Sequence, residues 1–239
     1  MTNQIKKKSL AAAMICGILG CLCYGAGDWL MIYGDTRYSG SVYWLTQGLI
    51  EIPAWRNGLA MALAFPGIIL YGIALFYIGR FIQGERERKV YHYLNAFGLT
   101  PWMCLHLFYI MILYLYTWMN NHGYQDAALP ACEALYAHLS WVIIVSEAVM
   151  LPVFLYWFYL VLRGKTTLPR WMAAGNVLCF YGVFYLVKLL LPDTPFRLGF
   201  TNGLMSESMI WFFLLIWFVG SRRTGTRQDK GGYDEGKSH

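Results

Sequence analysis

The chain has 239 residues and a formal net charge of +6, yet only 13% of its residues are charged and 58% are hydrophobic. A soluble domain usually carries about 25% charged residues, so this composition excludes an ordinary soluble enzyme and indicates an integral membrane protein. The cations lie in short segments between apolar runs. That distribution argues against a surface that binds nucleic acid.

Six apolar stretches follow one another along the chain, and each has about the length that a helix needs to cross a bilayer. They are predicted at residues 10–33, 58–82, 93–119, 135–162, 171–191 and 202–220. We therefore predict an all-α, polytopic bundle of six transmembrane helices that fills residues 10–220. Residues 1–9 form a short N-terminal segment. The Gly-rich, charged residues 221–239 are predicted to be a disordered tail.

The segments between these stretches differ in character. Residues 34–56 form the longest loop, in which aromatic side chains such as Tyr43 and Trp44 favour a short interfacial helix around residues 41–52. The charged stretch 84–89 and the polar stretch 120–131 are predicted as solvated loops. The basic start of the chain also fits a signal peptide, but the first apolar run continues without a break, which favours an uncleaved helix.

The distribution of Lys and Arg predicts the orientation. Fifteen of these residues lie in the segments on the side of the N-terminus and three lie on the other side, while Lys188 falls inside a predicted span. Because cytoplasmic loops carry an excess of Lys and Arg, we predict cytoplasmic N- and C-termini. The sequence is typical of a multi-pass protein of the bacterial cytoplasmic membrane.

Motifs for metal or cofactor binding are not evident in this sequence. Five of the six cysteines lie in apolar runs, where they pack as small side chains, and only Cys132 falls in a predicted loop. The spacings fit neither a zinc site nor a disulfide framework. We therefore predict no metal and no cofactor.

Three charged residues are predicted to lie near the outer ends of their spans. At 1.5 Å per residue, Asp28, Lys188 and Glu207 fall in the extracytoplasmic third of spans one, five and six. Charges inside a membrane are costly and tend to face partners or a polar cavity. Two interpretations stay open: a ligand-binding pocket formed by the three residues, or an ion pair in which Lys188 links the helices.

A second set of candidates lies near the middle of the membrane. His106 in span three and Glu147 in span four are predicted at similar depth, so an imidazole and a carboxylate can form an acid–base pair. Pro152 removes a helical donor and frees the carbonyl of Ala148 beside Glu147. The alternative is that each residue is satisfied by a neighbouring hydroxyl or carbonyl. Small residues in spans one and two, among them Gly20 and Gly67, predict close helix packing.

Several short motifs occur in a fixed order along the chain: Gly27-Asp28-Trp29-Leu30, Ile52-Pro53-Ala54-Trp55-Arg56, His106, Leu168-Pro169-Arg170-Trp171 and Leu198-Gly199-Phe200-Thr201-Asn202. In this order they resemble a family of bacterial integral membrane proteins of unknown function. The resemblance covers most of residues 10–220 and implies the membrane-bundle architecture. It implies no activity, because none is established for the family.

Three classes of function remain open. The first, which we favour, is a protein that binds or transports a small or lipid-like ligand at a polar site containing Asp28, Lys188 and Glu207. The second is a membrane-embedded enzyme that acts on a lipid-like substrate with His106 and Glu147 as acid and base. The third is a structural or regulatory membrane protein. The expected partners are the lipid bilayer and such a ligand, and nucleic acid is not expected. Formation of a homodimer is an open alternative.

Overall fold

The computed structural model describes residues 3–34, 37, 45 and 47–226. Within them the chain forms six α-helices, which are α1 (Asn3–Ile32), α2 (Ala54–Ile78), α3 (Glu85–Asn121), α4 (Gln125–Leu162), α5 (Val177–Leu190) and α6 (Pro195–Thr226). Three short 3-10 turns accompany them, at Gln47–Glu51, Gly79–Phe81 and Arg170–Ala173. The described chain is thus all-helical, as predicted. Helix α6 continues to Thr226, and the rest of the predicted disordered tail lies outside the described residues.

Five of these helices, α1 to α4 and α6, are long and apolar enough to cross a membrane. The outer surface carries large apolar side chains, such as Ile69, Phe97 and Leu190, which are 61%, 67% and 85% exposed. In water a surface of this kind would associate, whereas in a bilayer it contacts hydrocarbon. Length, composition and surface therefore agree on a membrane protein.

The single span predicted at residues 171–191 is divided. The first part forms the 3-10 turn Arg170–Ala173, and α5 begins only at Val177. The break occurs because the side-chain oxygen of Asn176 accepts a hydrogen bond of 2.9 Å from the backbone N–H of Leu178 and so starts a new helix. With 14 residues, α5 is about 21 Å long, which is less than the roughly 30 Å of a hydrocarbon core. Length therefore supports five crossings directly.

Two segments that were predicted as loops are helical. Glu85 and Lys89 lie in the first turns of α3, where they form an exposed (i, i+4) ion pair of 2.9 Å. Of the polar stretch 120–131, only residues 122–124 connect α3 to α4, because Gly123 adopts a φ of +86° that allows a tight reversal. As a result Cys132 is fully buried within α4 and is not a loop residue.

Close approaches between backbones hold α1 against its neighbours. Helix α1 packs on α2 and α6, α3 packs on α2 and α4, and α5 packs on α6. A Cβ atom added to Gly20 would lie 2.5 Å from the backbone nitrogen of Tyr71 and 2.6 Å from the carbonyl oxygen of Gly67. These helices therefore touch backbone to backbone, and the prediction of close packing through small residues is confirmed.

The turn Gln47–Glu51, which precedes α2, packs along the end of α3. Thr117 donates a hydrogen bond of 3.0 Å to the carbonyl of Leu49, and Asn121 donates one of 3.1 Å to the carbonyl of Ile50. The described part of the predicted interfacial helix at 41–52 is the 3-10 turn Gln47–Glu51. The rest of that segment, with Tyr43 and Trp44, lies outside the described residues.

At the opposite end of the bundle, the α2–α3 and α4–α5 connections bind each other. Ile82 and Thr166 form an isolated antiparallel bridge, and the ammonium of Lys165 lies 2.7 Å from the carboxylate of Glu87. The hydrogen bond to Glu87 raises the pKa of Lys165 above its ordinary value. These contacts hold the end of α4 against the end of α2 and the start of α3.

Candidate functional site

Helices α1, α3, α4, α5 and α6 line a cavity of about 660 Å³. Four of the five residues predicted as site candidates lie on its wall: Asp28, His106, Glu147 and Lys188. The rest of the wall is largely apolar and aromatic, with Trp102, Leu105, Ile144, Leu151 and Phe154 among its members. A volume of this size and a wall of this composition are typical of small-molecule sites.

Asp28 and His106 form the most buried polar pair of this wall. The Nδ1 atom of His106 lies 3.5 Å from Oδ1 of Asp28, and the two side chains are 2% and 13% exposed. The pair joins α1 to α3. The predicted partner of His106 was Glu147, and among the described residues no ion pair or hydrogen bond joins those two side chains.

The imidazole of His106 is held in place by its packing. Its ring centroid lies 4.6 Å from that of Tyr24 on α1. The Tyr24 hydroxyl donates a hydrogen bond of 3.3 Å to the carbonyl of Trp102, which lies on α3 like His106. The ring lies on Gly27, where an added Cβ would be 3.2 Å from Nε2. Nε2 is buried and has no hydrogen-bond partner among the described residues. Gly27 therefore lets the imidazole approach α1 and meet the adjacent carboxylate.

The depths counted along the sequence placed His106 and Asp28 at different levels, and the length of α3 explains the discrepancy. Asp28 lies four residues before the end of α1, whereas His106 lies fifteen residues before the end of α3. Since the two side chains meet, α3 extends past the end of α1 by roughly 16 Å. The α3–α4 hairpin therefore projects beyond the end of α1 by this distance.

Glu147 lies on α4, where the side chain is exposed at the cavity. Ala148 beside it also lines the cavity, and its carbonyl lacks the usual helical donor because Pro152 has no N–H. Tyr181 of α5 is close enough to interact electrostatically with Glu147. Glu147, Ala148 and Tyr181 thus lie on the wall of one cavity.

Lys188 lies on α5, partly buried, and its ammonium nitrogen is 5.1 Å from the centroid of the Tyr185 ring. Neither Asp28 nor Glu207 forms an ion pair with it in the described part of the chain. The charged neighbour that acts on it is Arg197, of the same sign. Lys188 thus lines the same cavity as Asp28 but forms no ion pair with it in the described part of the chain.

Glu207, the fifth candidate, faces a different contact. The indole of Trp29 lies on the backbone of α6 at Gly199 and Gly203, and the carboxylate of Glu207 lies against the same Gly203. A Cβ on Gly203 would be 2.8 Å from the indole nitrogen and 3.0 Å from Oε1 of Glu207. Glu207 therefore joins α6 to α1 through Trp29, close to Asp28 but not on the cavity wall.

Several polar residues of the wall were missed as site candidates, and two of them matter most here. Asn202 and Tyr181 both line the cavity, and the side-chain nitrogen of Asn202 is buried with no hydrogen-bond partner among the described residues. An amide inside an apolar stretch is a signal that a search for polar residues as well as charged ones would have found. Within the described chain, no three His, Cys, Asp or Glu side chains are grouped so that they could hold a metal ion.

A protein-family model described as "Family of unknown function (DUF6796)" matches residues 1–222. The chain therefore belongs to this family, and the predicted membership of a family without established activity is confirmed. Searches of curated proteins and of solved structures each found no significant match. The family supplies no reaction, so a function has to be argued from the cavity itself.

Proposed function

We propose that this member of a family of unknown function is a membrane protein that binds a lipid-like amphiphile in the cavity between α1, α3, α4, α5 and α6. The observation that carries the proposal is the lining of that cavity. Asp28, His106, Glu147 and Lys188 share about 660 Å³ with a mainly apolar and aromatic wall. A polar group can therefore bind at one part of the cavity while hydrocarbon packs against the rest.

The position of the cavity supports entry from the bilayer. Helix α4 packs on α3 and on the 3-10 turn before α5, whereas α5 itself packs on α6. Between α4 and α5 the wall residues are exposed, with Ile144 at 65% and Leu151 at 44%. An opening lined by apolar side chains at this level admits a molecule that is already dissolved in the membrane.

We also propose that both termini face the cytoplasm. The 15 to 3 distribution of Lys and Arg supports cytoplasmic termini in the bacterial cytoplasmic membrane. It also supports a sixth crossing by α5 together with the turn before it. In this arrangement the binding site lies in the extracytoplasmic half, and movement of the bound molecule between leaflets is one use of such a site.

The test compares the full-length protein with a variant whose cavity is filled. Protein purified in mild detergent should carry bound lipid in native mass spectrometry, and Ala148→Trp should lose it because the new side chain fills the wall beside Glu147. Ala137→Trp is the matched control, since Ala137 is exposed on the same helix and does not line the cavity. Equal lipid in all three proteins, or none in the unsubstituted one, would contradict the proposal.

A second candidate is a membrane enzyme that acts on the same amphiphile. The favouring observation is the buried contact of His106 with Asp28, because a carboxylate on one ring nitrogen orients an imidazole for proton transfer. Glu147 would be the second acid or base, as the sequence predicted. Incubation with a membrane lipid extract tests this: turnover that His106→Gln abolishes while lipid binding persists supports an enzyme, and lipids recovered unchanged support a binding protein.

A further inference from the structure

Resting on the proposed function, we infer that the bound amphiphile carries a zwitterionic headgroup, with a phosphate facing Lys188 and an ammonium facing Glu147. The two walls of the opening carry charges of opposite sign. Glu147 lies on α4 and Lys188 on α5, and both line the same cavity. A headgroup with both charges complements both walls at once, whereas a neutral or singly charged one leaves at least one wall charge without a partner.

The two charges do not pair with each other, although Glu147 of α4 and Lys188 of α5 line the same cavity. Within the described residues neither Glu147 nor Lys188 forms an ion pair with any other side chain. Both charges are therefore available to a ligand, and the flexible stem of the lysine lets its ammonium reach one.

The surroundings of each charge decide which part of the headgroup it takes. The charged neighbour of Lys188 is the cation Arg197, whose guanidinium donates a hydrogen bond of 3.4 Å to the carbonyl of Leu191. Two cations near each other favour an anion such as a phosphate. Glu147 lies beside Ala148, whose carbonyl lacks its helical donor, so acceptors predominate at that end and favour an ammonium.

The buried end of the cavity adds independent support for a polar ligand. His106 is 2% exposed and its Nε2 has no partner, and the side-chain nitrogen of Asn202 on α6 is likewise buried without a partner among the described residues. Buried polar atoms of this kind are costly unless they are satisfied. Other atoms of these two residues line the same cavity as the two charges, so polar residues extend along the wall inward from the opening.

The experiment measures binding of three soluble short-chain lipids with identical acyl chains to the full-length protein in detergent. The probes are a phosphoethanolamine lipid (zwitterionic), a phosphoglycerol lipid (anionic) and a diacylglycerol (neutral). Affinity is read from the shift in thermal unfolding as a function of lipid concentration. We expect the zwitterionic lipid to bind about tenfold more tightly than the anionic one, because one charge-assisted contact distinguishes them.

Two variants assign the charges. Glu147→Gln should lower the affinity for the zwitterionic lipid about tenfold and leave the affinity for the anionic lipid unchanged. Lys188→Met should lower both affinities about tenfold. Glu85→Gln and Lys89→Met are matched controls, because these two residues are exposed on α3 and do not line the cavity. Neither control should change any of the three affinities.

Failure of this inference is distinguishable from failure of the proposed function. Equal affinity of the unsubstituted protein for all three lipids, abolished by Ala148→Trp, would overturn the zwitterionic headgroup and retain the cavity as a lipid site. A preference for the zwitterionic lipid that survives Glu147→Gln would also overturn it. Absence of binding by any lipid, with no effect of Ala148→Trp, would overturn both. The comparison of the three lipids on the unsubstituted protein does not depend on whether the variants fold.

Discussion

The Nδ1 atom of His106 lies 3.5 Å from Oδ1 of Asp28, across the boundary between α3 and α1. This contact lies at the buried end of the cavity, where Gly27 leaves room for the imidazole and the Tyr24 ring covers it. It connects two helices whose main packing partners are other helices, because α1 packs on α2 and α6 while α3 packs on α2 and α4. The contact therefore stabilises the bundle where the cavity begins.

The first prediction concerns that pair. Asp28→Leu and His106→Leu should each lower the free energy of unfolding by roughly 1–3 kcal/mol, because each leaves a buried polar partner without a counterpart. The double variant should lose less than the sum of the single losses, by about 0.5–3 kcal/mol. The measurement is a double-mutant cycle from reversible denaturation in mixed micelles. Strictly additive losses would show that the two residues do not interact.

The second prediction concerns the contact between α1 and α2. Gly20→Ala should lower stability by roughly 1–3 kcal/mol, because its Cβ would lie 2.5 Å from the backbone nitrogen of Tyr71, which cannot move without separating the helices. Gly182→Ala on α5 is the matched control. No atom lies within 4 Å of its new Cβ, so the change should raise stability by about 0.5–1 kcal/mol through helix propensity. Equal effects at the two positions would contradict the backbone contact.

The third prediction concerns the start of α5. Asn176 is fully buried; its nitrogen donates a hydrogen bond of 2.9 Å to the carbonyl of Phe154 on α4, and its oxygen caps α5. Asn176→Asp keeps the side-chain oxygen that caps α5 and loses the N–H donor to Phe154, whereas Asn176→Ala loses both. The cap alone contributes about 0.5–2 kcal/mol to the free energy of unfolding, so Asn176→Ala should lower stability by at least this amount.

We expect Asn176→Ala to bind lipid more weakly than the unsubstituted protein, because α5 carries Tyr181 and Lys188 of the cavity wall. Thermal unfolding with and without lipid measures both effects. Undiminished lipid binding by Asn176→Ala at a clearly lowered stability would show that the placement of α5 does not matter for the site.

The fourth prediction concerns the membrane crossings. In a background where the exposed Cys104 is replaced by Ser, Asp126→Cys and Asp193→Cys should react with an impermeant maleimide on intact cells. Arg163→Cys should react only after permeabilisation. Arg163 precedes α5 and Asp193 follows it, so this pair tests whether the short α5 crosses the bilayer. Reaction of both from the same side would leave five crossings and would place the two termini on opposite sides.

The class of protein and most of the architecture could be predicted from residue order alone. Long apolar runs become helices in a bilayer whatever their neighbours are, because backbone hydrogen bonds must be satisfied within the segment. The bounds were less secure where local signals compete. Glu85 and Lys89 form an ion pair in the first turns of α3, although their charge suggested a loop. Asn176 interrupts the span predicted at residues 171–191, because its side chain caps the start of a new helix.

The choice of partners was decided by the tertiary structure. Counting residues gives a position along one helix, and it gives neither the direction a side chain faces nor how far one helix is shifted relative to the next. The projection of α3 beyond α1 brings His106 to Asp28, and the glycines of α6 bring Trp29 to Glu207.

The sequence by itself determined that this chain is a helical membrane protein with a few charged residues inside apolar spans, which need a polar partner or a cavity. It identified four of the residues that share the cavity. Which charges pair, which stay available and where the cavity opens depend on contacts between segments far apart in the chain. Such contacts exist only once α1, α3, α4, α5 and α6 have packed, because the shape of each helix surface then selects its neighbour.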